Sequence, residues 1–452
     1  MSRAQTIAGA PLSRADTGAA AGAGHRAATF DVWVVLAFLY PLTQVVVFDL
    51  VGSLYLMDLL AVPLVASLLL MPDARERLMR IWPLLALLAA WMGGQIVTDL
   101  IRATAPQDFL RGWAKIAFFS LHVVALWLWL PRRRSYLAAF AVGMGIAAAL
   151  TVPEQFQGYE WKFGYDRAAA YVALGLFAFI GRLFPSARYL VPPILLALAA
   201  LLLLQAARSA FGIALLSAIV IACALALDRQ GIVRKAVERK LLIALVLVGL
   251  ATTFAATTFY ASAVEKGALG REAIVKYRDQ ATSDLPIIVG GRSEVLVSIR
   301  AIGDSPIIGH GSWAKDPAYL DLLYATKVRL GLPVFDPQRG ERRLIPSHSY
   351  LFGAWVEAGI AGGFVWIWIL GLPVLALAGI LKRRDPLMPL VVYCSIALTW
   401  AVLFNPFGAQ ERFIVAFQIV LLMWFVKAGR SSLRWLGDGE GGWRRRRDGS
   451  TH

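Results

Sequence analysis

The sequence predicts an all-α, polytopic integral membrane protein with about twelve transmembrane helices and one large periplasmic loop. Three observations carry that prediction. Of 452 residues, 58% are hydrophobic and 16% charged, with a mean hydropathy of +0.63, which is too apolar for a soluble chain of this length. The apolar residues gather into runs long enough to cross a bilayer. The basic residues gather into alternate loops between those runs.

Taken in order, residues 1–31 are rich in Ala, Gly and Arg and lack the apolar core and cleavage site of a signal peptide. They read as a disordered cytoplasmic lead. Residues 32–261 hold the expected spans Val32–Phe48, Leu54–Met71, Ile81–Thr98, Trp113–Leu130, Tyr136–Val152, Ala168–Phe184, Tyr189–Gln205, Ser209–Leu227 and Leu241–Ala261. Residues 262–347 form the periplasmic loop, with short amphipathic helices, and residues 348–427 hold the spans His348–Ile380, Leu387–Phe404 and Phe413–Val426. Residues 428–452 are a basic cytoplasmic tail suited to anionic lipid.

The formal net charge of +16 follows this topology. With the N-terminus in the cytoplasm, the inner segments hold Arg75, Arg77 and Arg80, then Arg132–Arg134, Arg182 and Arg188, Arg229–Lys240, Lys382–Arg384 and the tail. The basic residues therefore face membrane lipid, and nucleic acid is not an expected partner. Cys223 and Cys394 both lie inside expected spans, so neither a disulfide framework nor a cysteine metal site is available. No cofactor is called for.

Several residues stand out. Asp58 lies about one turn inside the second span, where an acid is a candidate functional group; its place near the outer end makes a hydrated carboxylate the simpler reading. The outer loop Pro153–Arg167 mixes Glu154, Glu160 and Asp166 with Tyr159, Trp161 and Tyr165, a composition that suits sugar rings and an interfacial aromatic belt alike. The tight turn Gln205–Ala206–Ala207–Arg208 presents Arg208 on the outer side, at the positive end of a helix. A bound anion would suit it there; otherwise it is an arginine snorkelling at a helix end.

In the loop, GRSEVLVSIRAIGDSP sets Val295, Leu296, Ile299 and Ile302 at helical spacing, an amphipathic helix lying on something apolar. Arg292 shares a face with Leu296, so the leucine anchors the helix while the guanidinium points to the rim. His310, in the glycine-flanked turn IIGHGSW, reads as structural. A second helix is expected over Ala318–Leu330, and Pro333–Pro346, with Arg339, Arg342 and Arg343, reads as a lid.

Next comes PSHSYLFGAWVEAGIAGG, residues 346–363. On an ideal helix Trp355, Gly359 and Gly362 fall within roughly 40° of His348, and Glu357 about 180° away. The two glycines are expected to let another helix approach, while the imidazole stays at the water boundary. Arg208, Arg292 and His348 face one compartment: two guanidinium forks matched to phosphate oxygens and one base able to take a hydroxyl proton. That set suits displacement of a diphosphate by an alcohol. No Cys–His pair, acidic pair for a metal-held nucleotide sugar, or HExxH motif is evident.

Arg292-Ser-Glu-Val-Leu296 fits an R-x3-L pattern, and His348-Ser349, nine residues, then Gly359-Ile-Ala-Gly362 fits H-[NSQ]-x9-G-x-x-G. With Arg208 opening a helix, the stretch from about Leu190 to Leu370 resembles the O-antigen ligase and O-antigen polymerase superfamily of bacterial surface-glycan assembly. Ser349 stands where many members have Asn. The resemblance implies a metal-independent inverting glycosyltransferase of the bacterial inner membrane, acting at the periplasmic face. It implies an undecaprenyl-diphosphate-linked glycan donor, with Arg208 and Arg292 holding the diphosphate and His348 activating the acceptor. The acceptor is a lipid-linked repeat unit for a polymerase, the preferred reading, or lipid A–core for a ligase. A lipid-glycan flippase or secondary transporter is the remaining alternative, without the repeat symmetry that class shows.

Overall fold

Backbone amides in an apolar run can satisfy one another only in a helix when no water is present, and helices dominate this protein. The computed structural model describes residues 31–152, 156–205, 207–229, 293–332, 344–380 and 385–430, with 262, 266 and 334 as isolated positions. The expected span Leu241–Ala261, Arg292, the expected Arg339–Arg343 lid, Glu154 and both chain ends lie outside the described residues.

Helix α1 (Val32–Leu42) starts at Asp31, whose carboxylate accepts the Trp33 amide at 3.1 Å. It ends sooner than expected. After a single turn at Thr43–Val45 the chain forms an antiparallel hairpin, β1 (Val47–Asp49) and β2 (Ser53–Tyr55), with Phe48 opposite Leu54. The β-branched run Val45–Val47 followed by Phe48 favours extended backbone, so the all-α expectation needs this one correction.

The chain continues through α2 (Leu56–Leu69), α3 (Ala74–Met79), α4 (Trp82–Ile101), α5 (Pro106–Trp129) and α6 (Arg134–Leu150). Then follow the short α7 (Glu160–Phe163), α8 (Tyr165–Leu183), α9 (Val191–Leu204) and α10 (Arg208–Arg229). Among the later described residues come α11 (Glu294–Asp304), α12 (Pro317–Arg329), α13 (Tyr350–Gly379), α14 (Met388–Phe404) and α15 (Glu411–Arg430). Among the described residues, five helical stretches are long and apolar enough to cross a membrane: Trp82–Ile101, Pro106–Arg132, Pro185–Leu204, Arg208–Asp228 and Tyr350–Gly379. Four more apolar helices are shorter, at Val32–Val45, Leu56–Leu69, Arg134–Leu150 and Met388–Phe404.

Side-chain contacts sort the connections into two ends. At one, Arg132 meets Asp73 at 2.8 Å, Arg134 meets Asp385 at 3.1 Å and Arg188 meets Asp228 at 3.1 Å. These join the α2–α3 and α13–α14 connections to the α5–α6 connection, and the α8–α9 connection to the end of α10. At the other, the hairpin, the α4–α5 turn, the arm built from α11 and α12, and the α14–α15 connection come together. Under this second end sits an aromatic cluster in which Trp366 lies 5.8 Å from Trp91, 5.9 Å from Phe119, 5.0 Å from Tyr350 and 5.0 Å from Phe407. Such pairs add about 0.5–1.5 kcal/mol each beyond burial, so the site above it rests on a stiff floor.

Candidate functional site

A cavity of about 740 Å³ opens at the second end, between the hairpin, α5, α12, the start of α13 and the α14–α15 connection. His348 stands in its wall and is exposed. The chain before it is held extended: Ile345 donates its amide to the Ala314 carbonyl at 2.9 Å, and the Ser298 hydroxyl donates to the Pro346 carbonyl at 2.8 Å. The residue after it caps α13. Ser349 Oγ accepts the Phe352 amide at 3.2 Å and donates to the Val402 carbonyl at 2.7 Å, a cap worth about 1 kcal/mol. His348 is thus fixed on both sides by bonds that leave its imidazole facing the cavity.

Because α13 begins only at Tyr350, the ideal-helix azimuth does not extend to His348. The helix also breaks at Gly359, where φ is 61° and ψ −149°, a region open essentially to glycine alone. Glu357, expected on the far side, therefore lines the cavity with His348. The glycines serve the break. A Cβ on Gly359 would overlap the Ile307 carbonyl and one on Gly362 the Ala354 carbonyl, so their close neighbours are a loop and the helix's own preceding turn instead of a second helix.

That loop, Ser305–Trp313, fills the break. His310 and Gly311 donate their amides to the carbonyls of Val356 and Glu357 at 2.7 and 3.0 Å, and Ile360 donates to Ile307 at 3.2 Å. From the other side, α4 grips the same loop. Asp99 accepts the Ser312 amide at 2.6 Å, the Ser312 hydroxyl at 2.7 Å and the Trp113 indole at 2.8 Å. Arg102 donates to the Gly309 carbonyl at 2.9 Å and to Ser305 Oγ at 2.7 Å. The His310 ring Nε2 donates to the Ala301 carbonyl at 2.8 Å, a contact that fits the structural reading.

Within the arm, α11 buries Val297, Ser298 and Ala301. Of the expected apolar face, Ile302 packs on this cluster, while Leu296 and Ile299 are 44% and 53% exposed and do not pack inside the protein. The second arm helix runs Pro317–Arg329, close to expectation. There Tyr319 donates to Asp304 at 2.9 Å, and burial together with that carboxylate pushes its hydroxyl up to about 12.

Charge is concentrated around the cavity. Arg111 and Lys115 line it from successive turns of α5, Lys327 from α12 and Arg412 from α15. The Arg111 guanidinium lies over the Trp313 ring at 5.2 Å and its Nε donates to the Val51 carbonyl, tying the hairpin to the cavity rim. Lys115 pairs with Glu357 at 2.5 Å. Arg412 meets Asp58 at 2.7 Å, and His122 reaches the other Asp58 oxygen at 2.8 Å. Asp58, expected to be hydrated, is instead sealed in: the side chains of Asp58, His122 and Arg412 are 2%, 0% and 4% exposed. Buried charge persists only when paired, and this cluster binds α2, α5 and α15 at the cavity floor.

Of the residues singled out by sequence, His348 reaches the cavity. Glu294, two positions beyond Arg292, lines it too. Arg208 opens α10 beside the cluster of Ala199, Leu202, Ala207, Ala210 and Trp161 and is not among the cavity-lining residues. Glu160 accepts the Gly158 amide at 2.9 Å in a local turn. Sequence reasoning missed Lys115, His122 and Arg412 and put Glu357 on the wrong side; Lys115, His122 and Glu357 are ionisable residues inside expected spans, which was itself a signal. Among the described residues, no three His, Cys, Asp or Glu side chains cluster as metal ligands would. Compared with known families and with curated proteins, the chain matches no family model and no curated protein.

Proposed function

We propose that the protein transfers a glycan from undecaprenyl diphosphate to an acceptor hydroxyl at this cavity, on the periplasmic face of a bacterial inner membrane. The observation that supports it best is the exposed His348 in the wall of a chamber that also carries Arg111 and Lys327. An imidazole can take the acceptor proton as the hydroxyl attacks the anomeric carbon. The bond to the diphosphate oxygen breaks in the same displacement, with inversion, and cationic groups hold the departing charge. The motif resemblance gives the diphosphate-holding role to Arg208 and Arg292, but Arg208 is not among the cavity-lining residues and Arg292 lies outside the described residues, so at this cavity the role falls to Arg111 and Lys327. The acceptor in this reading is a lipid-linked repeat unit, giving polymerisation of an O-antigen, capsule or exopolysaccharide; lipid A–core would make the same chemistry a ligase.

The test is the purified protein in proteoliposomes with an undecaprenyl-diphosphate glycan. Lengthening of the lipid-linked glycan supports a polymerase, and transfer only to added lipid A–core supports a ligase. His348→Ala is expected to lower turnover at least a hundredfold while leaving the protein inserted. The buried Asp58–His122–Arg412 cluster favours a second reading, a lipid-glycan flippase or secondary transporter, because ionisable groups sealed among membrane helices mark transport pathways. Movement of the glycan lipid without transfer would support that one.

A further inference from the structure

The transfer reading leaves one feature of the cavity unused. Tyr350, Gly353, Ala354 and Glu357 of α13 all line it, which is the i, i+3, i+4, i+7 face of a helix. At 1.5 Å per residue, Glu357 stands about 10 Å along the axis from Tyr350. Gly353 and Ala354 leave the stretch between them without bulk. Across the gap Lys115 Nζ lies 2.5 Å from Glu357 Oε2, and the two side chains are 15% and 18% exposed. They are screened from bulk solvent yet open to a ligand.

An ammonium has three protons and a carboxylate two oxygens, so one mutual bond leaves both able to engage a third group. A hydroxyl, donor and acceptor at once, fits between them. A phosphate does not, because Glu357 repels it at the distance where Lys115 attracts it. Half-buried Phe118 in the same wall offers apolar cover of the kind that the C–H face of a sugar ring needs. We propose that the Lys115–Glu357 pair is a hydroxyl-reading subsite that takes one neutral sugar ring lying along α13 between His348 and the pair, and so selects which glycan is accepted. This rests on the transfer reading and adds to it the residues that decide specificity. The ring belongs either to the donor or to the acceptor, and the chemistry is the same for both.

The experiment uses the full chain in proteoliposomes with two substrate series, donors and acceptors each lacking single ring hydroxyls. Wild-type protein is expected to lose about tenfold or more in kcat/KM for one deoxy analogue, as a site built for a hydroxyl does. The Lys115→Gln/Glu357→Gln double variant, which keeps shape and leaves no lone buried charge, is expected to treat that analogue and its parent alike. Discrimination lost in the donor series assigns the ring to the donor, and in the acceptor series to the acceptor. A double variant that retains wild-type discrimination, or that slows every analogue by one common factor, overturns the subsite while the transfer reading stands. Absence of any wild-type transfer overturns that reading and the subsite with it. Should the double variant fail to insert, Glu357→Asp decides: raised KM for the parent sugar with kcat kept supports the subsite, and unchanged KM overturns it.

Discussion

The two ends of the helical bundle handle charge differently, although each also encloses single charges such as Arg77 and Asp385 at the end opposite the cavity. At the end opposite the cavity, Arg132–Asp73, Arg134–Asp385 and Arg188–Asp228 tie neighbouring connections together, and the arginine side chains remain 29%, 38% and 32% exposed. At the cavity end, Asp58, His122 and Arg412 are almost wholly enclosed. Pairs with an exposed partner gain less because water competes for it. Enclosed ones are costly to assemble and more costly to break. Carrying ionisable groups into the bundle is the demanding arrangement, and the protein adopts it beneath the cavity.

Substitutions can break or sharpen this contrast. The largest effect is expected from Asp58→Ala, which strands Arg412 without its carboxylate and should lower stability by about 3–5 kcal/mol, read as a fall in melting temperature of the purified protein in detergent. Gly359→Ala comes next: the φ of 61° and the overlap with Ile307 predict a loss of about 3 kcal/mol or more, with reduced protection of the Ser305–Trp313 amides in hydrogen exchange. At the opposite end, Arg188→Ala should cost under about 1 kcal/mol, and a cost as large as that of Asp58→Ala would erase the contrast.

The smallest effect concerns pH. The hydrogen bond from Arg132 holds the Asp73 carboxyl below its usual range. A depressed carboxylate pKa adds stability above the unfolded value of about 3.9, and that contribution fades as pH falls through the lower folded value. Asp73 is 39% exposed, so solvent screens most of it. Melting temperatures of wild type and Arg132→Ala should therefore differ slightly at neutral pH and converge below about pH 4.

Hydropathy made the helices legible, because a long apolar run is written locally and needs no partner to be recognised. The hairpin was hidden inside such a run. Val45–Phe48 counts as apolar on any scale, and only its β-branching betrays an extended strand. The break at Gly359 was visible as a glycine yet misread, since an azimuth calculation presumes an unbroken helix. Glu357 was set aside because that calculation also ran the helix back to His348, which lies before its cap at Ser349. His348 was found because its motif and its position at a polar-to-apolar boundary agree. Arg412 was missed because the acid that explains it, Asp58, lies more than three hundred residues earlier, and only folding brings the two together.

The interlock at Gly359 is made of main-chain atoms: amides of His310, Gly311 and Ile360 meeting carbonyls of Val356, Glu357 and Ile307. Such a joint is blind to side-chain identity. Over evolutionary time Ile307 and Ile308, 71% and 37% exposed, are free to drift, whereas Gly309, Gly311 and Gly359, all at positive φ, are not. The arm would thus stay riveted to its helix across lineages even while the surface it shows to the outside is rewritten.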